Sequence, residues 1–308
     1  MDELNVIFSS DDNYAQHLGV AIYSVLDKNR DFERVNIYIV DNEITEVNRE
    51  RLEKIANAFS NGVICWIDFK AWREQLVLNM AWEISISAYA RLFIGSMLPQ
   101  SVNRIIYFDC DVVITNSLRK MWETDLKGRV IAAVQDAMKP SLKIPVGIKE
   151  DEPYFNSGNM LIDLKAWREN DTEKKCLAFI ESKQGRVMHH DQGVLNGLFK
   201  NNWTRLPIED DLMTVCFVYN LEKIKKYFND KSEFYTEKEI EYAKNNPVIL
   251  HYTPSFTTRP WVKGCKHPYK KLYWDILEKT PWKGAKPQKD ARKWYVRIIE
   301  WRWRVLPF

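Results

Sequence analysis

The order of strand-like and helix-like segments in the first 70 residues constrains the fold most strongly. Apolar, β-branched runs at 4–10, 35–41 and 63–69 have the composition of buried strands. Between them, 13–28 and 45–59 place apolar residues at helical spacing. Strands that alternate with helices build a mainly parallel sheet with helices on both faces, and ligands bind beyond the carboxyl ends of its strands.

The same alternation continues along the rest of the chain and predicts a single α/β domain over 1–280. One stretch, 137–153, is rich in Pro and Lys and has little periodicity, which is typical of a long loop. A lid or an acceptor-binding loop is its candidate role. The remaining predicted elements are helices over 85–97, 165–183 and 190–199, and strands over 104–109, 130–135, 158–164 and 248–253.

Two aspartates one residue apart, Asp109 and Asp111, stand where one apolar strand ends. Residues i and i+2 of an extended chain point to the same side, so the two carboxylates can face one point. Like charges that close repel each other unless a cation lies between them, and Mg²⁺ or Mn²⁺ suits oxygen ligands. A turn or helix cap is the alternative role for such a pair. Its position at the mouth of a strand favours a metal site and an enzyme that acts on a nucleotide-activated substrate.

Composition fits a globular intracellular protein. The chain has 308 residues, 45% hydrophobic content and five scattered cysteines, a pattern that favours reduced thiols over a disulfide framework. The N-terminus lacks the basic and apolar regions of a signal peptide, and no apolar run is long enough to span a bilayer. We therefore expect a cytoplasmic protein.

The last residues differ from the body in charge. Residues 282–308 carry eight Lys or Arg and two acids, so their net charge is +6, against +3 for the whole chain. On a helix over 291–308, Trp294, Ile298 and Trp301 share one apolar stripe, which predicts a surface anchor on an anionic membrane. A terminal helix docked on the body is the alternative.

The segment before this tail, 281–290, has the composition of a linker, so 281–308 is assigned to a basic, Trp-rich tail outside the domain. The slightly acidic body has no basic groove and argues against nucleic acid as a partner.

Six polar clusters stand where apolar strands end: Ser10–Tyr14, Ala88–Arg91, Asp109–Asp111, Tyr154–Gly158, His190–Asn196, and His251–Thr253 followed by Arg259–Trp261. In this order and spacing they resemble the retaining glycosyltransferases of family 8, which include bacterial lipopolysaccharide α-galactosyl- and α-glucosyltransferases. The resemblance covers about residues 4–275. It implies a GT-A fold, which is a Rossmann-like, mainly parallel mixed sheet flanked by helices. It also implies transfer of a hexose, galactose or glucose, from a UDP-sugar with Mn²⁺ or Mg²⁺ as cofactor.

The resemblance also implies roles for individual residues. The implied metal ligands are Asp109, Asp111 and His251. The implied donor-binding residues are Ser9, Asp11, Asn13, Tyr14, Asn156, Ser157 and Arg259, with Tyr14 stacking on the base. The implied catalytic residues are Arg91, Asp136, Asp191 and Gln192.

The amide of Gln192 is a poor nucleophile compared with the carboxylates that usually attack sugars. We therefore expect Gln192 to stabilise positive charge on the sugar while the acceptor attacks from the UDP side.

One departure from the family pattern concerns the phosphate site. The family has His-x-x-Gly shortly before Lys-Pro-Trp, whereas here Pro254 follows Thr253 and the loop to Arg259 is longer. Proline has no N–H to offer a phosphate, so Thr or Ser hydroxyls and Arg259 are the candidate substitutes.

Structural alternatives remain for several residues. His251 is a candidate core histidine, Asp11 or Asp12 a helix cap, and Asn156 a turn residue. His189 and His190 are interpreted as helix-start residues without a ligand role.

The function expected from all of this is extension of a lipid-linked cell-surface glycan by a protein held at the inner membrane face. Rival functions are extension of a protein-bound sugar, nucleotidyl transfer, and non-catalytic binding. The loop after the first strand lacks the glycines and basic residues that nucleotidyl transfer would favour.

Overall fold

The computed structural model describes residues 2–73, 86–254, 257–293 and 295–298. Its strands are β1 (Glu3–Asp11), β2 (Arg34–Asn42), β3 (Gly62–Asp68), β4 (Arg104–Phe108), β5 (Val112–Ile114), β6 (Ile131–Asp136), β7 (Tyr154–Asp163), β8 (Thr204–Arg205), β9 (Leu212–Met213) and β10 (Ile249–His251). Short 3₁₀ helices cover Asp12–Tyr14, Ile86–Phe93, Ile144–Val146 and Ile208–Asp211.

The α-helices flank these strands and vary from one turn to four. They are α1 (Ala15–Lys28), α2 (Glu46–Ala56), α3 (Lys70–Arg73), α4 (Ile94–Met97), α5 (Arg119–Trp122), α6 (Pro140–Lys143), α7 (Leu164–Glu169), α8 (Thr172–Ser182), α9 (His190–Phe199), α10 (Val215–Val218), α11 (Leu221–Phe228), α12 (Glu237–Asn245) and α13 (Lys270–Leu277).

Seven strands among the described residues form the central sheet, in the order β3-β2-β1-β4-β7-β6-β8. β1 pairs in parallel with both β2 and β4, whereas β7 runs antiparallel to β4 and β6. A smaller sheet has the order β5-β10-β9. The predicted mainly parallel sheet is therefore confirmed, with β7 as the strand that makes it mixed.

The core lies on both faces of the central sheet. Val6 and Phe8 of β1 pack in one cluster with Leu18 of α1, while Ile7 belongs to a second cluster with Trp167 of α7. Successive strand residues face opposite sides, so a strand apolar at every position needs cover on both. The helices supply that cover and leave the carboxyl ends of the strands open for a site.

Two predicted elements differ from the structure. β7 begins at Tyr154 rather than 158 because Phe155 extends the antiparallel ladder opposite Gln135 of β6. Asn156 is therefore a strand residue, and its interpretation as a turn residue is wrong. The helix predicted over 165–183 is two helices, since Asp171 takes a left-handed conformation with a φ of 49° between them.

Two further segments differ from their predictions. The segment 85–97, predicted as a helix, has another helix type over much of its length, and the segment 137–153, predicted as a loop, contains a helix. The first is largely 3₁₀, followed by α4. The second contains α6, whose Lys143 is fully buried with its Nζ 3.0 Å from Asp230 Oδ1. That nitrogen also donates to the carbonyl of Glu150, so the segment is anchored from within.

Residues 282 and 288 contact the body of the protein, so the interpretation of 281–290 as a linker is wrong. A Cβ atom on Gly19 of α1 would lie 2.5 Å from the Trp282 ring. The Gln288 N–H donates to the Trp261 carbonyl at 2.8 Å, and the Lys263 N–H donates to the Gln288 carbonyl at 2.8 Å. Residues 294 and 299–308 lie outside the described residues, so the amphipathic helix over 291–308 stays a prediction. No helix in the described part of the chain is long and apolar enough to cross a membrane.

Candidate active site

A cavity of about 660 Å³ opens at the carboxyl ends of β1 and β4. This is the edge at which the alternation of strands and helices predicts a site. Asn13 is exposed and does not line the cavity, and Asp136 does not line it either but accepts a hydrogen bond from Gln192, which does. The predicted site residues that do line it are Ser9, Asp11, Tyr14, Arg91, Asp109, Asp111, Asn156, Ser157, Asp191, Gln192, His251 and Arg259.

Strand pairing brings the three predicted metal ligands together. Asp109 and Asp111 follow β4, and β5 continues from them into an antiparallel pair with β10. In that pair His251 lies opposite Val112, one residue beyond Asp111. One ligand atom from each of Asp109, Asp111 and His251 lies within 4.8 Å of the other two.

The space around these ligands fits a metal ion. Gly158 of β7 closes one side, and a Cβ there would lie 2.5 Å from His251 Cε1 and 2.7 Å from Asp109 Oδ2. Any side chain at this position would displace a ligand. Two carboxylates and one imidazole nitrogen form a donor set that a divalent cation such as Mn²⁺ accepts.

Opposite charges surround Asp111. Its Oδ2 lies 2.8 Å from Arg259 Nη2 and its Oδ1 lies 3.3 Å from His251 Nε2. Burial alone would raise the pKa of Asp111, but Arg259 and His251 outweigh burial and lower it. For Asp109, burial together with Asp111 outweighs the opposing effect of Arg91, and the pKa is raised.

His251 is held on both ring nitrogens, since Nδ1 lies 2.9 Å from Asp211 Oδ1 on the side away from Asp111. Burial disfavours its charged form, but the carboxylates of Asp211 and Asp111 outweigh burial and raise the pKa of His251 well above its usual value. His251 is buried, as expected of a core histidine, but both of its partners are carboxylates.

Arg91 links the predicted metal ligands to the residues around Gln192. Its Nη2 donates to Asp109 Oδ1 at 2.8 Å and its Nε lies 2.9 Å from Asp191 Oδ2. A third contact runs from Nη1 to the Ser157 hydroxyl at 3.0 Å. The guanidinium lies over the Tyr107 ring, 4.5 Å from its centroid, and is buried. A buried cation with two carboxylate partners holds both carboxylates in fixed positions.

The amide of Gln192 is oriented by partners at both ends. Its Oε1 accepts from the Ser157 N–H at 3.1 Å, and its Nε2 donates to Asp136 Oδ2 at 3.2 Å. Asn156 Nδ2 donates to the same Asp136 oxygen at 3.3 Å. Burial raises the pKa of Asp136 to about 6. Asp136 thus holds two residues that line the cavity, Gln192 and Asn156, by accepting a hydrogen bond from each.

Aromatic rings support the side of the cavity next to β1. The His17 ring stacks on Trp261, with centroids 3.7 Å apart, and His17 Nδ1 lies 2.7 Å from the Tyr273 hydroxyl. Tyr14 meets the edge of Trp261 at 6.3 Å. Asp11 also caps the turn that carries Tyr14, since its Oδ1 accepts from the Tyr14 N–H, so the capping interpretation and the cavity position both hold.

Sequence reasoning missed several residues of the site. His189 and His190 begin α9 in left-handed conformations, as their helix-start interpretation expected, but both also line the cavity. Asp211 lies behind His251, and the only sequence signal is an acidic run between the apolar residues Ile208 and Leu212. The other lining residues are Ser10, Tyr107, Cys110, Thr253 and Pro254, while Ser255 lies outside the described residues.

Comparison with known proteins agrees with this fold. The model of glycosyl transferase family 8 matches residues 5–265, so the chain belongs to that family. The lipopolysaccharide 1,2-glucosyltransferase of Escherichia coli (strain K12) is 30% identical over 305 residues, which cover 98% of this chain and 84% of that relative. General stress protein A of Bacillus subtilis (strain 168) is 29% identical over 284 residues, 91% of this chain and 94% of the relative.

A solved structure shares the architecture. The galactosyltransferase LgtC in complex with donor and acceptor sugar analogues superposes with a TM-score of 0.73 at 26% identity, over 90% of this chain and 96% of LgtC. The fold expected from the family resemblance, GT-A with a mixed, mainly parallel sheet, is confirmed. The protein is a glycosyltransferase. The individual roles assigned to site residues stay predictions.

Proposed function

We propose that this glycosyltransferase moves a hexose, galactose or glucose, from a UDP-sugar to a glycan acceptor, with retention of configuration and with Mn²⁺ or Mg²⁺ as cofactor. The observation that carries the proposal is the cluster of Asp109, Asp111 and His251 in the cavity, beside Arg259. A diphosphate is stabilised by positive charge on both sides. A cation held by these carboxylates would supply it on one side, and the guanidinium of Arg259 would supply it on the other.

The donor-binding part follows from the placement of the lining residues. Tyr14, next to the end of β1, offers a ring face for the base, and Ser9 and Asp11 offer oxygen atoms for the ribose. Arg259 extends from the loop that Trp261 anchors on His17. It would contact the diphosphate and take over the role of the family glycine that Pro254 does not fill.

In the chemical step the departing UDP gains negative charge on its diphosphate. A bound divalent cation would stabilise that charge as it forms. Arg259 adds a second positive group on the same side, while Arg91 holds Asp109 and Asp191 in place. These residues are in position before the reaction, so little reorganisation is required when the bond to UDP breaks.

Retention follows from attack on the same face of the sugar. Asp191 lines the cavity but pairs with Arg91, which reduces its nucleophilicity, and the Gln192 oxygen accepts from Ser157. Gln192 is therefore assigned to stabilise positive charge at the anomeric carbon. The acceptor hydroxyl attacks from the side that UDP leaves, and its proton passes to the departing phosphate oxygen.

The acceptor class and the location rest on the relatives and the tail. One relative is named for glucosyl transfer to lipopolysaccharide, which favours a lipid-linked cell-surface glycan here. At the described start of the tail, Tyr295 and Ile298 are exposed beside Arg297. An apolar and basic surface of this kind suits binding to anionic lipid at the inner face of the membrane.

Donor hydrolysis without an acceptor tests the proposal. The protein is incubated with UDP-galactose, UDP-glucose and other UDP-sugars in Mn²⁺, and again after EDTA. Slow release of UDP from one donor, lost with EDTA and in Asp111→Asn, is the expected result. Neither release nor UDP binding with any donor would contradict the proposal, and release that is unchanged in EDTA would contradict its metal requirement.

A further inference from the structure

Asp211 lies directly behind the His251 ring and is fully buried. Its Oδ1 is 2.9 Å from His251 Nδ1, while the opposite ring nitrogen, Nε2, is 3.3 Å from Asp111 Oδ1. The imidazole is thus held between one carboxylate in the metal cluster and one carboxylate outside it. Only the first of these faces the cavity.

Backbone pairing fixes the place of Asp211. It ends the 3₁₀ helix Ile208–Asp211, and β9 continues from it into a parallel pair with β10, with Met213 opposite His251. Asn159 of β7 donates its Nδ2 to the same Oδ1 of Asp211. Two strands, β7 and β10, and the 3₁₀ helix before β9 therefore supply the residues around this one hydrogen bond to the histidine ring.

We propose that Asp211 is a positioning residue for the metal site. With a cation in the cluster, the N–H on His251 Nδ1 would donate to Asp211, and Nε2 would offer its lone pair on the side of Asp109 and Asp111 in place of the proton that it shares with Asp111 in the metal-free protein. Carboxylates that accept from the far nitrogen of a metal-binding histidine fix its tautomer and ring orientation and increase its basicity. The inference rests on the proposed function, because it requires a cation at this cluster.

The second oxygen of Asp211 argues against a purely structural role. Asp211 Oδ2 is buried, and no donor among the described residues lies within hydrogen-bonding distance of it. A buried carboxylate with an unsatisfied oxygen is costly for stability. An amide at this position could accept the same bond from His251 without a charge. A carboxylate at this position is explained when a cation bound at the opposite ring nitrogen, Nε2, would compensate its charge.

Asp210 provides a matched control. It is the neighbouring residue, is also buried, and would undergo the same change from carboxylate to amide, but it makes no bond to His251 among the described residues. Asp211→Asn and Asp210→Asn are therefore compared by calorimetric titration of Mn²⁺ into protein with UDP present. Thermal unfolding of the metal-free proteins is measured in parallel.

The expected result is that Asp211→Asn weakens Mn²⁺ binding by about 10- to 100-fold, the usual effect of removing such a partner, at a temperature at which the metal-free variant is still folded. Asp210→Asn should bind Mn²⁺ as the unchanged protein does. Equal affinity in both variants, or a lower melting temperature with unchanged affinity in Asp211→Asn, would overturn the inference alone. If the unchanged protein binds UDP but no Mn²⁺, the metal requirement of the proposed function fails first.

Should Asp211→Asn not fold, Asn159→Ala replaces it in the same titration. This change removes a second donor to the same carboxylate oxygen and leaves His251 and both aspartates in place. Weaker Mn²⁺ binding than in Asp210→Asn supports the positioning role, and equal binding overturns it.

Discussion

Gly158 offers the sharpest test of the geometry around the metal ligands. It lies in β7, and its φ is not in the left-handed region, so alanine would be tolerated by the backbone itself. The obstacle is space, because the new Cβ would lie 2.5 Å from His251 Cε1, 2.7 Å from Asp109 Oδ2 and 2.8 Å from Asn156 Oδ1. Two of these three atoms belong to predicted metal ligands.

The size of the effect follows from these contacts. Relief of the His251 contact from 2.5 to 3.0 Å, the shortest distance found for real Cβ atoms, requires a shift of about 0.5 Å. Metal–ligand distances tolerate about 0.2 Å. We therefore expect Gly158→Ala to weaken Mn²⁺ binding severely and to lower turnover by about 100-fold, the usual effect of a misplacement on this scale. Overpacking should also cost about 1–3 kcal/mol of stability.

Metal-dependent UDP-sugar hydrolysis and Mn²⁺ titration are the assays, with thermal unfolding to measure stability. Gly128→Ala is the control, because Gly128 has a φ of 74° and open space around it. It should lose about 1 kcal/mol through backbone strain while it keeps its metal affinity. Gly158→Ala with Mn²⁺ affinity and turnover close to those of Gly128→Ala would refute the steric argument.

Three further predictions concern protonation, a buried ion pair and the tail. Because the folded pKa of Asp136 is about 6, above its ordinary 3.8, turnover that needs the ionised carboxylate should fall below pH 6. The folded state binds the extra proton between pH 6 and 4, so this group alone makes the free energy of unfolding rise as pH falls through that window. A pH–rate profile with no acid limb near 6 would contradict the assignment. Lys143→Met leaves Asp230 buried without its ion-pair partner and should cost about 3–5 kcal/mol in urea unfolding, whereas Lys231→Met, at an exposed pair, should leave the urea midpoint nearly unchanged. Deletion of 290–308 should abolish sedimentation with anionic vesicles, and full retention of binding would exclude the tail as an anchor.

The sequence was sufficient for elements whose patterns are local. β1, α1 and β2 were predicted within about two residues because apolar periodicity specifies them directly. The paired aspartates and His251 were found from their positions at strand ends and from the family resemblance. Strand-end residues can be located without knowing how distant segments pack, since the ends of parallel strands meet at one edge.

Residues that act through tertiary contacts were not accessible in this way. Asp211 is 40 residues from His251 in the chain, and the β9 pairing that joins them involves two residues, too few for a periodic signal. The role of Gly158 depends on atoms from Asp109 and His251 that meet only in the folded chain. The docking of Trp282 on Gly19 was hidden for the same reason, since 281–290 reads locally as a linker.

The backbone hydrogen bond from Gln288 to Trp261 ties the segment 281–290 to the loop that carries Arg259. The backbone bonds of Gln288 hold the same loop that presents Arg259, while the predicted metal ligands lie between β4 and β5 and at the end of β10. A fragment that stops at 280 would keep those ligands but lose one side of the loop. Residues 281–290 therefore support from behind the loop that presents Arg259, the residue proposed to contact the diphosphate, although none of them lines the cavity.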